Sequence, residues 1–460
     1  GRRLRRPGGA GGPSWTTPYV AGEVVFLLRA GHGKGEGLVR RREVLGFLAA
    51  LGLAGLTDPG LALAARAQKG GREEKAAAKE KEKDKPSWRE GRQLVVVFLQ
   101  GGPDGLSVAA PTGDPLYRAL RPTTALAPDC GGTDLGRGFL LHPALAALAP
   151  FYAQKKLAVL PACGMAGVAA QHGPAQADFA RGAPPGKGGK GDKGWLGRLA
   201  LALGGGTSQM LVASQSDIYA GAPHYNMIAP GRGPSLPGLP VEDQALYDAV
   251  SRLYAGKEPL AKTFAKGRED RQDVLAKLLA ESVKASAGAI PAPAFPEFAE
   301  RFGRDLAKRR DAALAFLAVG GFDTHSGQGG AKGYLADRLH ETAQGLSHLA
   351  AGLGKAFDET VIIALGEFGR GARENRFGGT DNGQGGVMLV LGGPVAGGQV
   401  LGEWPGLAAH RLAGGRDVAV ATDWREVAAQ IAVRHLGLPE KRLADVFPGF
   451  APTGAPQILG

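Results

Sequence analysis

Short, uninterrupted apolar runs recur along the chain: Leu94–Leu99, Leu157–Leu160, Leu211–Ala213, Leu314–Val319, Val361–Leu365 and Val387–Leu391. Runs of this length with no polar alternation predict strands buried on both faces, as in a parallel sheet. A different period appears between two of them. Leu335, Leu339, Ala343, Leu346, Leu349, Leu353 and Phe357 are spaced by three or four residues, which predicts a helix with one apolar face. His340, Gln344, Ser347 and His348 fall on its polar side. Strands alternating with helices predict an α/β fold with helices on both faces of the sheet. Residues 240–310 are mostly helical in pattern and predict an insertion or cap. One folded domain is expected over residues 93–455.

The first ninety residues follow another pattern. Arg40, Arg41 and Arg42 head an apolar stretch from Val44 to Leu56, and Ala65-Arg66-Ala67 offers small residues at a cleavage position. Arg41-Arg42-Glu43-Val44-Leu45 resembles a twin-arginine export signal, so residues 40–67 are expected to be that signal peptide. The apolar stretch is short of the roughly 20 residues needed to span a bilayer. The mature chain is therefore expected to carry no transmembrane helix and to be periplasmic or extracellular, with the twin-arginine machinery as a partner. Residues 1–39 lack either period and are read as an upstream extension, with the native start near Val39. Residues 68–92, with their alternating Lys/Glu/Asp run, are read as a charged linker.

Composition changes this picture little. Glycine (75) and proline (31) are abundant, but the apolar runs are enough to bury a core. Two cysteines, Cys130 and Cys163, exclude a disulfide scaffold. Residues 1–67 hold ten Lys/Arg against four Asp/Glu, so the chain beyond them carries only +6 of the net +12. No stripe of basic residues interleaved with aromatics reads as a nucleic-acid surface, and no nucleic acid is expected as a partner.

Ligands of open α/β sheets bind beyond the carboxyl ends of the strands. Each such position here pairs an acid with glycines: Gly101-Gly102-Pro103-Asp104-Gly105-Leu106-Ser107, Gly321-Phe322-Asp323-Thr324-His325 and Gly366-Glu367-Phe368-Gly369-Arg370. Gly378-Gly379-Thr380-Asp381-Asn382-Gly383-Gln384-Gly385 precedes the Val387 run. Asp104, Asp323, His325, Glu367 and Asp381 gathered at one sheet edge would make a hard-cation site with one imidazole. Arg370 and Arg373 are candidates to clamp an oxyanion as substrate-binding residues. There is no Gly-x-Ser-x-Gly elbow, and His340-Glu341 lacks the second histidine of a zincin.

Taken in order, the twin-arginine segment, Val95-Val96-Val97-Phe98-Leu99-Gln100-Gly101-Gly102-Pro103-Asp104-Gly105, Leu141–Leu145, Gly194–Arg198, Gly321–His325, Glu367–Arg370, Gly379–Gly383 and Val446–Phe450 resemble one exported family, the "domain of unknown function fifteen-oh-one" group of the alkaline phosphatase and sulfatase superfamily. The resemblance spans about residues 90–450. It implies a three-layer α/β/α sandwich and one or two divalent metals (Ca, Mg or Zn) that bind a phosphate or sulfate ester. It also implies Asp104, Asp323, His325, Glu367, Asp381 and Asn382 as metal ligands, and a hydrolase as the function. The ligand would be an anionic small molecule or glycan. The alternative is a non-catalytic binder of an anionic glycan or cell-envelope component.

The chain departs from that family at three places. Phe368 cannot ligate a metal, Asn382 and Gln384 stand where relatives carry imidazoles, and Gln171-His172-Gly173-Pro174 lacks the serine of relatives. Ser107, Thr324 and His172 remain as catalytic candidates.

Overall fold

The computed structural model describes residues 91–187, 192–204, 209–229, 244–256, 258–454 and 456–460. The expected upstream extension, the twin-arginine segment and most of the expected charged linker lie outside the described residues. Ten strands form one sheet: β1 (Gln93–Gln100), β2 (Leu157–Gly164), β3 (Gln209–Val212), β4 (Tyr225–Met227), β5 (Ile290–Pro291), β6 (Ala312–Gly320), β7 (Thr360–Leu365), β8 (Gly386–Gly392), β9 (Gln399–Val400) and β10 (Thr422–Asp423). Their order is β9-β2-β8-β7-β1-β6-β3-β4, with β10 also on β2 and β5 on β6. Within this sheet the described pairings are parallel except the two made by β8. All six apolar runs are strands.

The reason lies in the alternation hidden inside those runs. Leu94, Val96 and Phe98 point to one apolar layer, while Val95, Val97 and Leu99 point to the other. The neighbouring strand repeats the division, with Leu314, Phe316 and Ala318 on the first side and Ala315, Leu317 and Val319 on the second. Both faces are covered by helices, so no polar residue is needed at alternate positions. On the first face lie α1 (His172–Arg181), α2 (Trp195–Ala202) and, much later in the chain, α7 (Trp424–Gln430). The segment between β4 and β6 carries α3 (Gln244–Leu253), α4 (Pro259–Ala285) and α5 (Phe295–Ala307). The last of these packs on the second face through Phe295, Phe298, Phe302 and Leu306, together with α6 (Tyr334–Leu353). The result is a three-layer α/β/α sandwich. Each fully buried Leu or Phe in it contributes roughly 1.5–3 kcal/mol.

The periodic 335–357 segment divides in two. The helix ends at Leu353 because Gly354 takes φ +53°, and buried Phe357 sits in the following 3₁₀ turn. Cys130 and Cys163 are not bonded to each other. Among the described residues no helix is long and apolar enough to cross a membrane.

Candidate metal centre

The strand ends that carry the acids open at one edge of the sheet, because β1, β2, β6 and β7 run parallel and β8 returns antiparallel to start at that edge. The loops there bring together His172, Asp323 and His325, with one ligand atom from each lying within 4.8 Å of the others. Asp323 and His325 follow β6, and His172 opens α1, which follows β2. The convergence is on one oxygen: Asp323 Oδ1 is 3.3 Å from His172 Nε2 and 3.2 Å from His325 Nε2.

Both imidazoles are oriented from behind. His172 Nδ1 donates to Glu367 Oε1 at 2.8 Å, and His325 Nδ1 faces Asp381 Oδ1 at 3.4 Å. A histidine whose Nδ1–H is held by a carboxylate presents its Nε2 lone pair forward. Glu367 is itself fixed. It accepts from the backbone N–H of Gly101 (3.1 Å) and Gly102 (3.1 Å) and from Gln176 Nε2 (3.1 Å). Gly101 has φ +113°, and a Cβ there would lie 2.6 Å from the Asp323 nitrogen, so only glycine permits this approach. Asp381 is 57 % exposed and also accepts from Asn375 Nδ2 at 2.9 Å. The two carboxylates therefore stand behind the histidines rather than beside Asp323.

The donor set fits a divalent cation. Two imidazoles and a carboxylate are a recurrent set for zinc and other first-row metals. Tetrahedral ligands at about 2.0–2.1 Å from a metal are roughly 3.3 Å apart, close to the Nε2–Oδ1 separations here. His172 Nε2 is buried and makes no well-formed hydrogen bond; the atom it faces is Asp323 Oδ1, 3.3 Å away. Without a cation, a proton serves instead. Burial alone would lower the His172 pKa, but the Asp323 and Glu367 carboxylates overcome this and raise it to about 9. Burial likewise opposes ionisation of Asp323, yet His172 and the Arg370 guanidinium pull its carboxyl down to about 2. His325 pulls Asp381 to about 2 as well.

The other sequence-derived residues are placed elsewhere. Asp104 is fully buried and ion-paired with Arg121 through both oxygens, at 3.0 Å for Oδ1. Ser107 Oγ and Gln328 Nε2 each donate to its Oδ2 at 2.7 Å. Burial pushes against its charge, but Arg121, Ser107 and Gln328 hold its pKa below the ordinary carboxylate value. Thr324 Oγ1 donates to Gln328 Oε1 at 2.9 Å, so both hydroxyl candidates are buried in this network. Arg370 is buried and donates to the carbonyls of Gly101, Gly102, Phe322 and Thr380 as well as to Asp323 at 3.0 Å. It pins the loops together, with four of its five N–H donors directed at protein oxygens. Arg373 is exposed. Asn382 is half-buried, donates to the Ala170 carbonyl, and leaves its Oδ1 buried without a partner. Phe368 packs against the His172 ring, centroids 4.9 Å apart.

Sequence reasoning placed His172 among catalytic candidates and left Arg121, Gln328 and Asn375 unnoticed. The apolar run at 157–160 continues to Gly164 as β2, so His172 also follows a strand, eight residues beyond its end. The Arg121 and Gln328 contacts span 17 and 224 residues of sequence and leave no local signal.

Residues 271–447 match the family described as "Protein of unknown function (DUF1501)". The match contains Asp323, His325, Glu367 and Asp381, and lies beyond His172 and Asp104. No curated protein matches the chain in sequence. Among solved structures, Ps i-CgsB in complex with k-i-k-neocarrahexaose is 12 % identical, covering 77 % of this chain and 74 % of its own, with a TM-score of 0.37. The C-terminal periplasmic domain of EcEptC from Escherichia coli is 8 % identical, covering 80 % and 90 %, at 0.39. The lipoteichoic acid synthase LtaP from Listeria monocytogenes is 9 % identical, covering 66 % and 65 %, at 0.33. At these scores the likeness assigns nothing to this chain.

Proposed function

We propose that the chain is an exported, divalent-metal-dependent hydrolase of phosphate or sulfate esters. The observation that carries the reading is the convergence of two carboxylate-oriented imidazoles on Asp323 Oδ1, with His172 Nε2 buried and unpartnered. His172, His325 and Asp323 are the ligands in this reading, and two imidazoles favour Zn²⁺ or a similar first-row ion over Ca²⁺. When bound, the cation supplies Lewis-acid polarisation of an ester oxygen and offsets the charge developing on it. Glu367 and Asp381 keep the Nδ1 protons in place, so both imidazoles stay in the tautomer that presents Nε2. Ser107 and Thr324 are committed to the Asp104–Gln328 network, so water supplies the attacking oxygen. Arg373, exposed on the loop after Arg370, adds positive charge for an anionic ester. Export by the twin-arginine route rests on the pattern of residues 40–67.

A non-catalytic role in holding an anionic glycan or envelope component is the second reading, favoured by the absence of a free hydroxyl among the two candidates. One experiment separates them. Hydrolysis of p-nitrophenyl phosphate and p-nitrophenyl sulfate is measured after chelation and again after reloading with Zn²⁺, Mn²⁺, Mg²⁺ or Ca²⁺. Metal-dependent turnover that falls at least about a thousandfold in a folded Asp323→Ala variant supports the hydrolase. Stoichiometric metal with no turnover of either ester supports the binder.

A further inference from the structure

A cavity of about 550 Å³ adjoins the metal centre at the same sheet edge, inside the roughly 300–1,000 Å³ range of small-molecule sites. The two share a wall. Gly173, next to His172, lines the cavity, and so does Gln176, whose Nε2 is bonded to Glu367 at 3.1 Å. Gln100 stands beside it, donating at 3.4 Å to Gln176 Oε1. Five aromatic rings, Phe98, Phe179, Tyr219, Tyr225 and Phe316, line much of the rest. Phe98 and Phe179 are stacked on each other, and buried Tyr219 carries Tyr225 beside it with ring centroids 5.0 Å apart. Tyr225 is 50 % exposed.

The chemistry of this lining differs from that of the metal centre. Among the described residues no Lys, Arg or His lines the cavity, and Asp217 is its carboxylate. An anionic group placed here would find no cation and one negative charge. A wholly apolar ligand would strip water from the exposed Gln215 amide and Asp217 carboxylate without replacing it, at a cost for each unpaired group. A ring with one C–H face and several hydroxyls suits both surfaces: the face stacks on tyrosine, and the hydroxyls exchange hydrogen bonds with the Gln215 amide and Asp217. We propose that this cavity binds an uncharged sugar residue. Resting on the hydrolase reading, that residue is the carrier that presents an ester to the metal centre.

Saturation-transfer NMR on the purified full chain tests this, with methyl glycosides of glucose, galactose, mannose and fucose and their neutral disaccharides as probes. Transfer to at least one neutral glycoside is expected. Tyr225→Ala, at a half-exposed edge position, is expected to weaken it about tenfold, and Gln215→Ala is a second, independent lesion. Metal content should match the unmutated chain in both. No transfer to any neutral glycoside, or equal transfer in both variants, overturns the proposal. A chain that binds neutral glycosides but no metal overturns the hydrolase reading and leaves the sugar site standing. A metal-dependent hydrolase that ignores neutral glycosides does the reverse.

Discussion

Asp104 and Asp323 begin from the same circumstances. Each follows a strand of the parallel core, at the same sheet edge, and each is almost wholly withdrawn from solvent. Their surroundings then diverge. Asp104 is answered by a guanidinium, a hydroxyl and an amide, so every lone pair that matters has a donor. Asp323 also touches a guanidinium, but its Oδ1 is shared with two imidazoles whose own protons are drawn backwards to Glu367 and Asp381. One network is complete; the other has a buried nitrogen without a partner. A buried carboxylate is structural when the chain supplies its counter-charge and hydrogen bonds, and a ligand when the facing groups are lone pairs.

The comparison breaks most visibly if Arg121 is removed. Arg121→Ala strands a buried charge on Asp104, and chemical denaturation should report a loss of about 3–5 kcal/mol. Metal content of the folded fraction should be unchanged; a loss of metal would merge the two networks.

The next effect comes from pH. The folded-state pKa of His172 is raised from the ordinary 6.5 to about 9. Its stabilising contribution is therefore complete below 6.5 and disappears as pH rises through 9. In chelator, stability should fall by at most about 3 kcal/mol over that window. Saturating cation should cancel the fall, and His172→Gln should remove it without metal. A flat profile in chelator would detach His172 from the carboxylates.

Smaller still is Glu367→Gln, which keeps the shape but weakens the hold on Nδ1. Metal affinity by competition with a chromophoric chelator should drop about 10–100-fold. Asp381→Asn should cost less than about tenfold, because Asp381 is exposed and its contact with His325 is the longer one. If Asp381→Asn proved the more damaging, the order of the two supports would be reversed.

Much of this was legible in the sequence. The six apolar runs are strands because burial on both faces removes polar alternation, and the acid-and-glycine strand ends mark the edge where the centre lies. Asp323 and His325 are readable because both follow one strand within five residues. The division of labour among the acids is not. Glu367 and Asp104 sit after strands just as Asp323 does. Only the chain's return at Gly101, Gly102 and Arg121 decides that one holds a histidine and the other an arginine. Arg370 misled for a related reason: a conspicuous arginine beside a site signals an anion clamp, but this one is buried and most of its donors go to backbone carbonyls and Asp323.

A cation held by His172, Asp323 and His325 is tested most directly by elemental analysis of the protein purified without added metal. About one divalent ion per chain, lost in Asp323→Ala and retained in Asp104→Asn, is the expected result. Well-folded protein that carries no metal and takes none up from Zn²⁺, Mn²⁺, Mg²⁺ or Ca²⁺ would contradict it.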